Sequence, residues 1–399
     1  MWMGLCASLP VSAQEPTGRW LLDTTHLTGD WGGTRSGLED RGIRFSLFYI
    51  HYFGHKDRGG FDPVRRRSQS GSADLFGQFD FDTMNAIRGG EALIQLKHNW
   101  GHNINPPTGA LSDPIDDADG DHALYINQLW YQHSSPSRTW QVRLGYLDQQ
   151  TILDRNAFAN SEDRQFMSTF LDNNNAIIPL ATGPGIALFY NATDWLSLVA
   201  TASDANAQPR TFSFAKVFGS QYLTYFETDF HARLDSPNGP LPGNYRFGFF
   251  IDPRDHMRFG GERVEKQSEG FYLSFDQMLY GEPTGDDQGV GIFFRYGWRP
   301  AEVNRITRFW SGGAQYTGLF PHAEDHTLGF GAYTAIGSDV YRVHLDPSFD
   351  RETAYELYYA VPIGRAIRLT PGIQYIRHPG ALTTRDNVFV FAFRARFNL

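Results

Sequence analysis

Residues 389–399 read FVFAFRARFNL, with Phe389, Phe391, Phe393, Ala395, Phe397 and Leu399 at every second position and Arg394 and Arg396 between them. Side chains alternate across a β-strand, so this period of two puts an apolar row on one face and a polar row on the other. The same reading recurs along the chain. Residues 43–52 set Ile43, Phe45, Leu47 and Tyr49 against Arg44 and Ser46. Residues 91–100 set Ala92, Ile94, Leu96 and Trp100 against Glu91, Gln95, Lys97 and Asn99. Residues 138–147, 222–234, 245–251 and 290–298 repeat the pattern, with Arg143, Arg233, Arg246 and Arg295 on the polar faces. Weaker alternation covers 73–83, 123–133, 184–192, 195–203, 271–279, 309–318, 327–336, 353–361 and 367–377, which makes sixteen strands.

Two architectures use many such strands. A soluble sandwich turns the apolar face to a core. A transmembrane barrel turns it to lipid and leaves a polar lumen. Three features favour the barrel. Aromatics sit near strand ends (Tyr52, Trp100, Tyr146, Trp298), as an interfacial girdle requires. Charges recur on the opposite face. The strands are even in number and about ten residues long, enough to cross when tilted. Closure then satisfies every backbone N–H and C=O in lipid, and sixteen strands enclose water.

The composition agrees. Of 399 residues, 15 % are aromatic and 41 are Gly, which excludes disorder and coiled coil. No run of roughly 18 apolar residues offers a transmembrane helix. The net charge is -9 with no basic stripe, so nucleic acid is not a partner. Only four of the 35 basic residues are Lys, so the cations are mostly planar, multi-donor guanidinium groups. The sole cysteine is Cys6. Residues 1–13 read as a signal peptide ending Val11-Ser12-Ala13, with a truncated start or a ragged N-terminus as alternatives. Residues 14–42 read as a periplasmic lead-in with a short helix over 36–41, and 43–399 as the barrel.

Short connections such as 191–195 read as periplasmic turns and long ones as outer loops. The segment 149–182 stands apart, carrying Asp154, Arg155, Glu162, Asp163, Arg164 and Asp172 with Phe158, Phe166 and Phe170. A loop this long with apolar residues packs against something, and the lumen is the nearest surface. The lumen candidates are Arg44, Asp80, Lys97, Arg143, Asp154, Arg155, Arg233, Arg246 and Arg295. They read either as general wetting of a water-filled bore or as a sugar-selective constriction. In the second case arginine and carboxylate donate to and accept from vicinal hydroxyls, while aromatic rings face C–H groups.

Catalytic signatures are not evident: there is no G-x-S-x-G, P-loop or H-E-x-x-H. No cofactor or metal is expected. His51/His55 and His98/His102 are four apart, but on strands that spacing does not make a shared metal site. Asp113–Asp121 (DPIDDADGD) resembles a calcium loop whose frame fails, and reads as an acidic outer loop or a loose divalent-cation site. Arg65-Arg66-Arg67 reads as a solvated loop, or as a contact for anionic lipopolysaccharide.

Residues 27–43, LTGDWGGTRSGLEDRGI, closely resemble the N-terminal signature of the carbohydrate-selective porin (OprB) family of Gram-negative outer membranes. Residues 352–359 (ETAYELYY) and 371–380 (PGIQYIRHPG) look like its late-strand motif, and Arg143-Leu144-Gly145-Tyr146 sits where a strand of that family would precede a constricting loop. The resemblance implies a sixteen-stranded barrel with an inward-folded loop. It implies passive inward diffusion of monosaccharides such as glucose through an eyelet of charged residues, Arg prominent, and aromatics. The sugar, outer-membrane lipid and lipopolysaccharide, and the barrel-assembly machinery acting on the last strand are then the partners, with the barrel monomeric or trimeric. One departure is the C-terminal Leu399, where such barrels usually end in an aromatic. A general diffusion pore, an outer-membrane barrel enzyme and a blocked structural barrel are the alternatives.

Overall fold

The computed structural model describes residues 24–399, apart from 118–121, 181, 209, 216, 218, 220 and 284–287. The expected signal peptide, residues 1–13, lies outside the described residues. Sixteen strands form one closed barrel. In chain order they are β1 (Ile43–Lys56), β2 (Arg67–Asp80), β3 (Gly90–His102), β4 (Leu124–Ser134), β5 (Trp140–Asp148), β6 (Thr182–Thr193), β7 (Leu196–Asp204) and β8 (Tyr222–Leu234). They continue as β9 (Leu241–Asp252), β10 (Ser268–Gly281), β11 (Gly289–Trp298), β12 (Ile306–Thr317), β13 (Thr327–Gly337), β14 (Arg351–Ile363), β15 (Ile367–Arg377) and β16 (Val388–Asn398). Each pairs antiparallel with its sequence neighbours, and β1 closes on β16 from Phe48↔Asn398 to Lys56↔Val390. No barrel strand keeps an unpaired edge, as a lipid environment demands. A two-residue ribbon, His256–Met257 with Val264–Glu265, sits apart in the β9–β10 connection.

The alternation has the predicted sense. On β9, Phe247 and Phe249 point outward, while Arg246 is buried in the lumen wall. Outward aromatics stack across strands, for example Phe226 on Phe249 with centroids 4.8 Å apart and Phe271 on Trp298 at 5.8 Å. Such pairs add roughly 0.5–1.5 kcal/mol each beyond burial. One girdle residue departs from expectation. Tyr52 is 1 % exposed and points into the lumen, because β1 alternates with Phe53 and His55 outward. Tyr146 points outward but is covered by Phe212 and Phe214 of the β7–β8 connection.

Both described chain ends lie at one end of the barrel, and the short turns, such as 194–195, lie there too. The long connections lie at the far end. Helix α1 (Thr34–Glu39) sits at the terminal end. The quoted N-terminal motif explains its local geometry. Asp30 accepts from the Ser36 amide and hydroxyl, both at 2.8 Å, and so holds the turn ahead of the helix. Gly32 and Gly33 have φ of 65° and 89°, a region that penalises any side chain. Arg35 lies over Trp31 at 4.3 Å and donates to the carbonyl of Leu399 at 3.0 Å, while Leu27 donates to Asn398 at 2.8 Å. The motif therefore ties the two ends of the barrel chain together.

Candidate functional site

Two segments fold inward from the far end and narrow the lumen. The first, residues 149–180, is the one its apolar residues anticipated. Its side chains seat where the wall presents glycine. A Cβ at Gly331 would lie 2.8 Å from Phe166 and 3.1 Å from Leu171, and one at Gly297 would lie 2.9 Å from Ile177. Gly291 and Gly372 make the same room for Phe158 and Met167. Phe166 packs edge-on to Tyr358 at 5.0 Å, and Phe170 packs against Phe309 at 5.6 Å. The lumen thus contains an apolar core of its own.

Buried charges fix the loop backbone. Arg295 and Asp154 form an ion pair at 3.0 Å with both side chains 0 % exposed. Arg295 also donates to the carbonyls of Leu171 at 3.0 Å and Asp154 at 3.2 Å. Glu356 accepts from the amides of Met167 and Ser168 at 2.7 and 3.0 Å. Glu227 accepts from the Asp154 amide at 2.8 Å and the Tyr272 hydroxyl at 2.6 Å. Arg394 donates to the carbonyls of Glu162 and Gln165, and Arg396 pairs with Asp163 at 2.6 Å. Burial works against the Asp163 charge, yet Arg396, Arg164 and Arg394 hold its carboxyl below the usual range.

The second infolded segment, residues 103–117, contains the start of the acidic stretch Asp113–Asp121 expected to be a solvated outer loop, of which 118–121 lie outside the described residues. Its backbone instead binds the first: Thr169 donates to Asp113 at 3.0 Å and Asp116 to Met167 at 2.7 Å. Glu352 of β14 accepts from Leu111 at 2.7 Å and Ser112 at 3.3 Å, and Gln374 donates to the Pro114 carbonyl at 2.6 Å. Asp117 pairs with Lys97 and accepts from Ser72 inside the lumen. Among the described residues no group of His, Cys, Asp or Glu is placed to hold a metal ion.

The nine lumen candidates divide into three sets. Arg44, Asp80 and Arg233 lie at the terminal end. Arg44 is 59 % exposed and 4.0 Å from Glu39, and Asp80 accepts from the Asp82 amide and Thr83 hydroxyl at 2.9 and 2.8 Å to shape a turn. Lys97, Asp154, Arg246 and Arg295 are embedded in paired networks. Arg246 bridges Asp229 at 3.0 Å and Asp276 at 2.8 Å. Arg143, on β5, and Arg155 form the third set, and neither makes an ion pair among the described residues. The Arg143 guanidinium lies 4.0 Å from the Trp130 ring and 5.2 Å from Phe189, and donates to Gln132 at 2.9 Å. Gln132 in turn donates to Glu91. Arg155 comes from the loop. Burial, with Arg246 adding to it, draws its guanidinium below the ordinary value against the pull of Glu227, Asp229 and Asp276.

The candidate list omitted Glu227, Glu352, Glu356, Arg394 and Arg396, which hold the loops. Period two marks all five as inward, and that signal was available in the sequence.

Residues 66–399 match the sequence profile of the carbohydrate-selective porin, OprB family. Porin B of Pseudomonas aeruginosa is 22 % identical over 96 % of this chain and 92 % of its own length. The high-pH structure of Pseudomonas putida OprB superposes with a TM-score of 0.86 at 18 % identity, covering 95 % of this chain and all of that one. OmpT of Vibrio cholerae shares the fold more distantly, with a TM-score of 0.52 at 10 % identity, over 90 % of this chain and 97 % of that one. The barrel is a transport channel of the Gram-negative outer membrane, and the chain belongs to the OprB family of carbohydrate-selective porins.

Proposed function

We propose that glucose-sized neutral sugars diffuse through the gap between the infolded loop and the β3–β6 wall, and that Arg143 and Arg155 with Glu91 and Gln132 form its polar rim. The observation that carries this reading is the Arg143 guanidinium held over Trp130 at 4.0 Å and donating to Gln132 at 2.9 Å. A pyranose shows hydroxyls at its edge and C–H groups on its faces. The guanidinium forks match vicinal hydroxyls, and Glu91 and Gln132 supply acceptors. Trp130 and Phe189 present rings to the C–H face. Contacts of this kind are exchangeable, so a solute is enriched in the gap and released again. No energy coupling is required. In this reading the terminal end faces the periplasm, the far end faces outward, and the last strand, β16, is what the barrel-assembly machinery engages.

Liposome swelling tests it. Glucose is expected to enter faster than a disaccharide and faster than an amino acid of similar size. Arg143→Ala removes charge-assisted hydrogen bonds to sugar hydroxyls, each worth about 1.5–3 kcal/mol, so glucose entry at low concentration should fall roughly tenfold or more, with the amino-acid rate changing less. Equal glucose and amino-acid rates in the wild type would reduce the protein to a general diffusion pore.

A further inference from the structure

We propose that the outer wall where β1, β2 and β16 reach the far end binds a phosphorylated, multiply acylated lipid of the outer leaflet, lipopolysaccharide in class, with phosphate on Arg65, Arg66 and Arg67. This rests on the sidedness proposed above, and on three observations at one place.

The first is shape. A groove of about 600 Å³ opens on the outside of the barrel between Phe53, His55, Arg67, Gln69, Phe391 and Phe393. A second, of about 520 Å³, lies along His55, Arg65, Arg66 and Arg67. His55 and Arg67 line both, so the two adjoin.

The second is the order of chemistry along the wall. Phe53 opposes Phe393 and His55 opposes Phe391 in the β1–β16 register, all pointing outward. Their rings are 6.3 and 6.5 Å apart. Below is the lipid-facing aromatic row; immediately above come an imidazole and three guanidinium groups. An acyl chain and a phosphate are joined in the same order.

The third is charge that the protein leaves unanswered. Among the described residues, the side chains of Arg65, Arg66 and Arg67 make no ion pair or hydrogen bond. The carboxylate nearest in sequence, Asp62, accepts instead from the amides of Val64 at 2.8 Å and Arg65 at 3.2 Å. Lys56 turns inward to the Gly59 carbonyl at 2.7 Å. By contrast, Arg258 and Arg263 of the β9–β10 connection pair with Glu265 at 3.1 and 3.3 Å, and Arg342 pairs with Asp350 at 3.3 Å. Three adjacent unpaired guanidinium groups at the lipid boundary suit a phosphate monoester, which takes bidentate, charge-assisted bonds.

The test uses the full-length protein in detergent and native mass spectrometry with purified bisphosphorylated lipid A, the same lipid without phosphates, and inorganic phosphate. Bisphosphorylated lipid A is expected to bind at least tenfold more tightly than its dephosphorylated form. The combined variant R65Q/R66Q/R67Q should lose tenfold or more, while R258Q/R263Q stays within twofold of wild type. A separate variant, F391A/F393A, should weaken the lipid without creating sensitivity to free phosphate. Glucose swelling confirms that each variant is folded and should be unchanged. Undiminished lipid A binding by the triple-arginine variant overturns the proposal. So does displacement of the lipid by an equal concentration of inorganic phosphate, which would indicate an anion site alone. A wild type that binds lipid A but shows no sugar preference would overturn the sugar-selective reading and leave this one standing.

Discussion

Replacing Arg295 by Met should open the constriction to larger sugars without unfolding the barrel. Arg295 is fully buried and pairs at 3.0 Å with an equally buried Asp154. The thioether keeps most of the side-chain volume but donates nothing. Asp154 then loses its counter-charge, and the carbonyls of Leu171, Asp154 and Ala159 lose a donor. Removing one member of a buried pair costs about 3–5 kcal/mol, roughly two to three and a half powers of ten in the ratio of docked to undocked loop. The cost is local, because other anchors persist. Glu356 still holds Met167 and Ser168, and Phe166 remains against Tyr358. Hydrogen exchange should therefore rise over 154–160 and stay slow over 166–171, and disaccharide entry should rise relative to glucose. Removing both charges, as Asp154→Leu with Arg295→Met, should restore much of the protection, since no uncompensated ion is left. Restoration should be incomplete, because Asp154 also accepts from the Asn174 amide at 2.9 Å. An Arg295→Met protein with wild-type exchange over 154–160 and a wild-type sugar ratio would refute the clamp.

Two further expectations concern the same loop. Gly331→Val places a Cβ 2.8 Å from Phe166; overpacking of this kind costs about 1–3 kcal/mol, so exchange should rise over 166–171 and thermal stability should fall, with Gly331→Ala intermediate, and unchanged exchange would mean the seat is not tight. The Asp163–Arg396 pair should make the loop acid-sensitive. Asp163 is depressed when folded, so its stabilisation is complete above the unfolded carboxyl value, roughly pH 4, and is lost as pH falls through the lower folded one. Swelling selectivity should thus be flat from pH 7 to pH 5 as far as this pair is concerned, and Arg396→Met should remove its contribution to loosening below about pH 4.

The strands were legible because each has one face in lipid and one in water, and a two-residue period records that directly. It records direction, not depth. Arg44, Arg233 and Arg246 all read as inward, and all are, yet two sit at the barrel's end and one sits deep in a paired network. Depth depends on how each strand staggers against its neighbours, which is a property of pairs of strands. Strand ends were blurred for a related reason. β1 continues past Tyr52 to Lys56 with His51 and His55 outward, so polar residues at the rim interrupt the apolar row. The infolding of 149–180 was legible from Phe158, Phe166 and Phe170, which need cover. The infolding of 103–117 was not, because its acidic run looks solvated and its partners, Glu352 and Gln374, lie more than two hundred residues away in sequence.

Most of the lumen's charge has a use that generic wetting does not describe. Glu227, Glu356, Arg295 and Arg394 each bind loop backbone, and Arg246 is consumed by Asp229 and Asp276. These groups set how wide the gap is, because they decide how firmly the loops lie against the wall. Arg143 and Arg155 lack a direct carboxylate partner within ion-pair distance among the described residues, and in the proposed function they form the rim of the gap. The proposed function therefore assigns width and chemistry to different residues. Clamp variants should shift the size cut-off for neutral sugars of every kind. Arg143 and Arg155 variants should instead shift the preference between a sugar and a solute of equal size, leaving the cut-off alone. If both classes of variant moved the same quantity, the division between clamp and rim would be wrong, and the lumen would act as one undivided polar network.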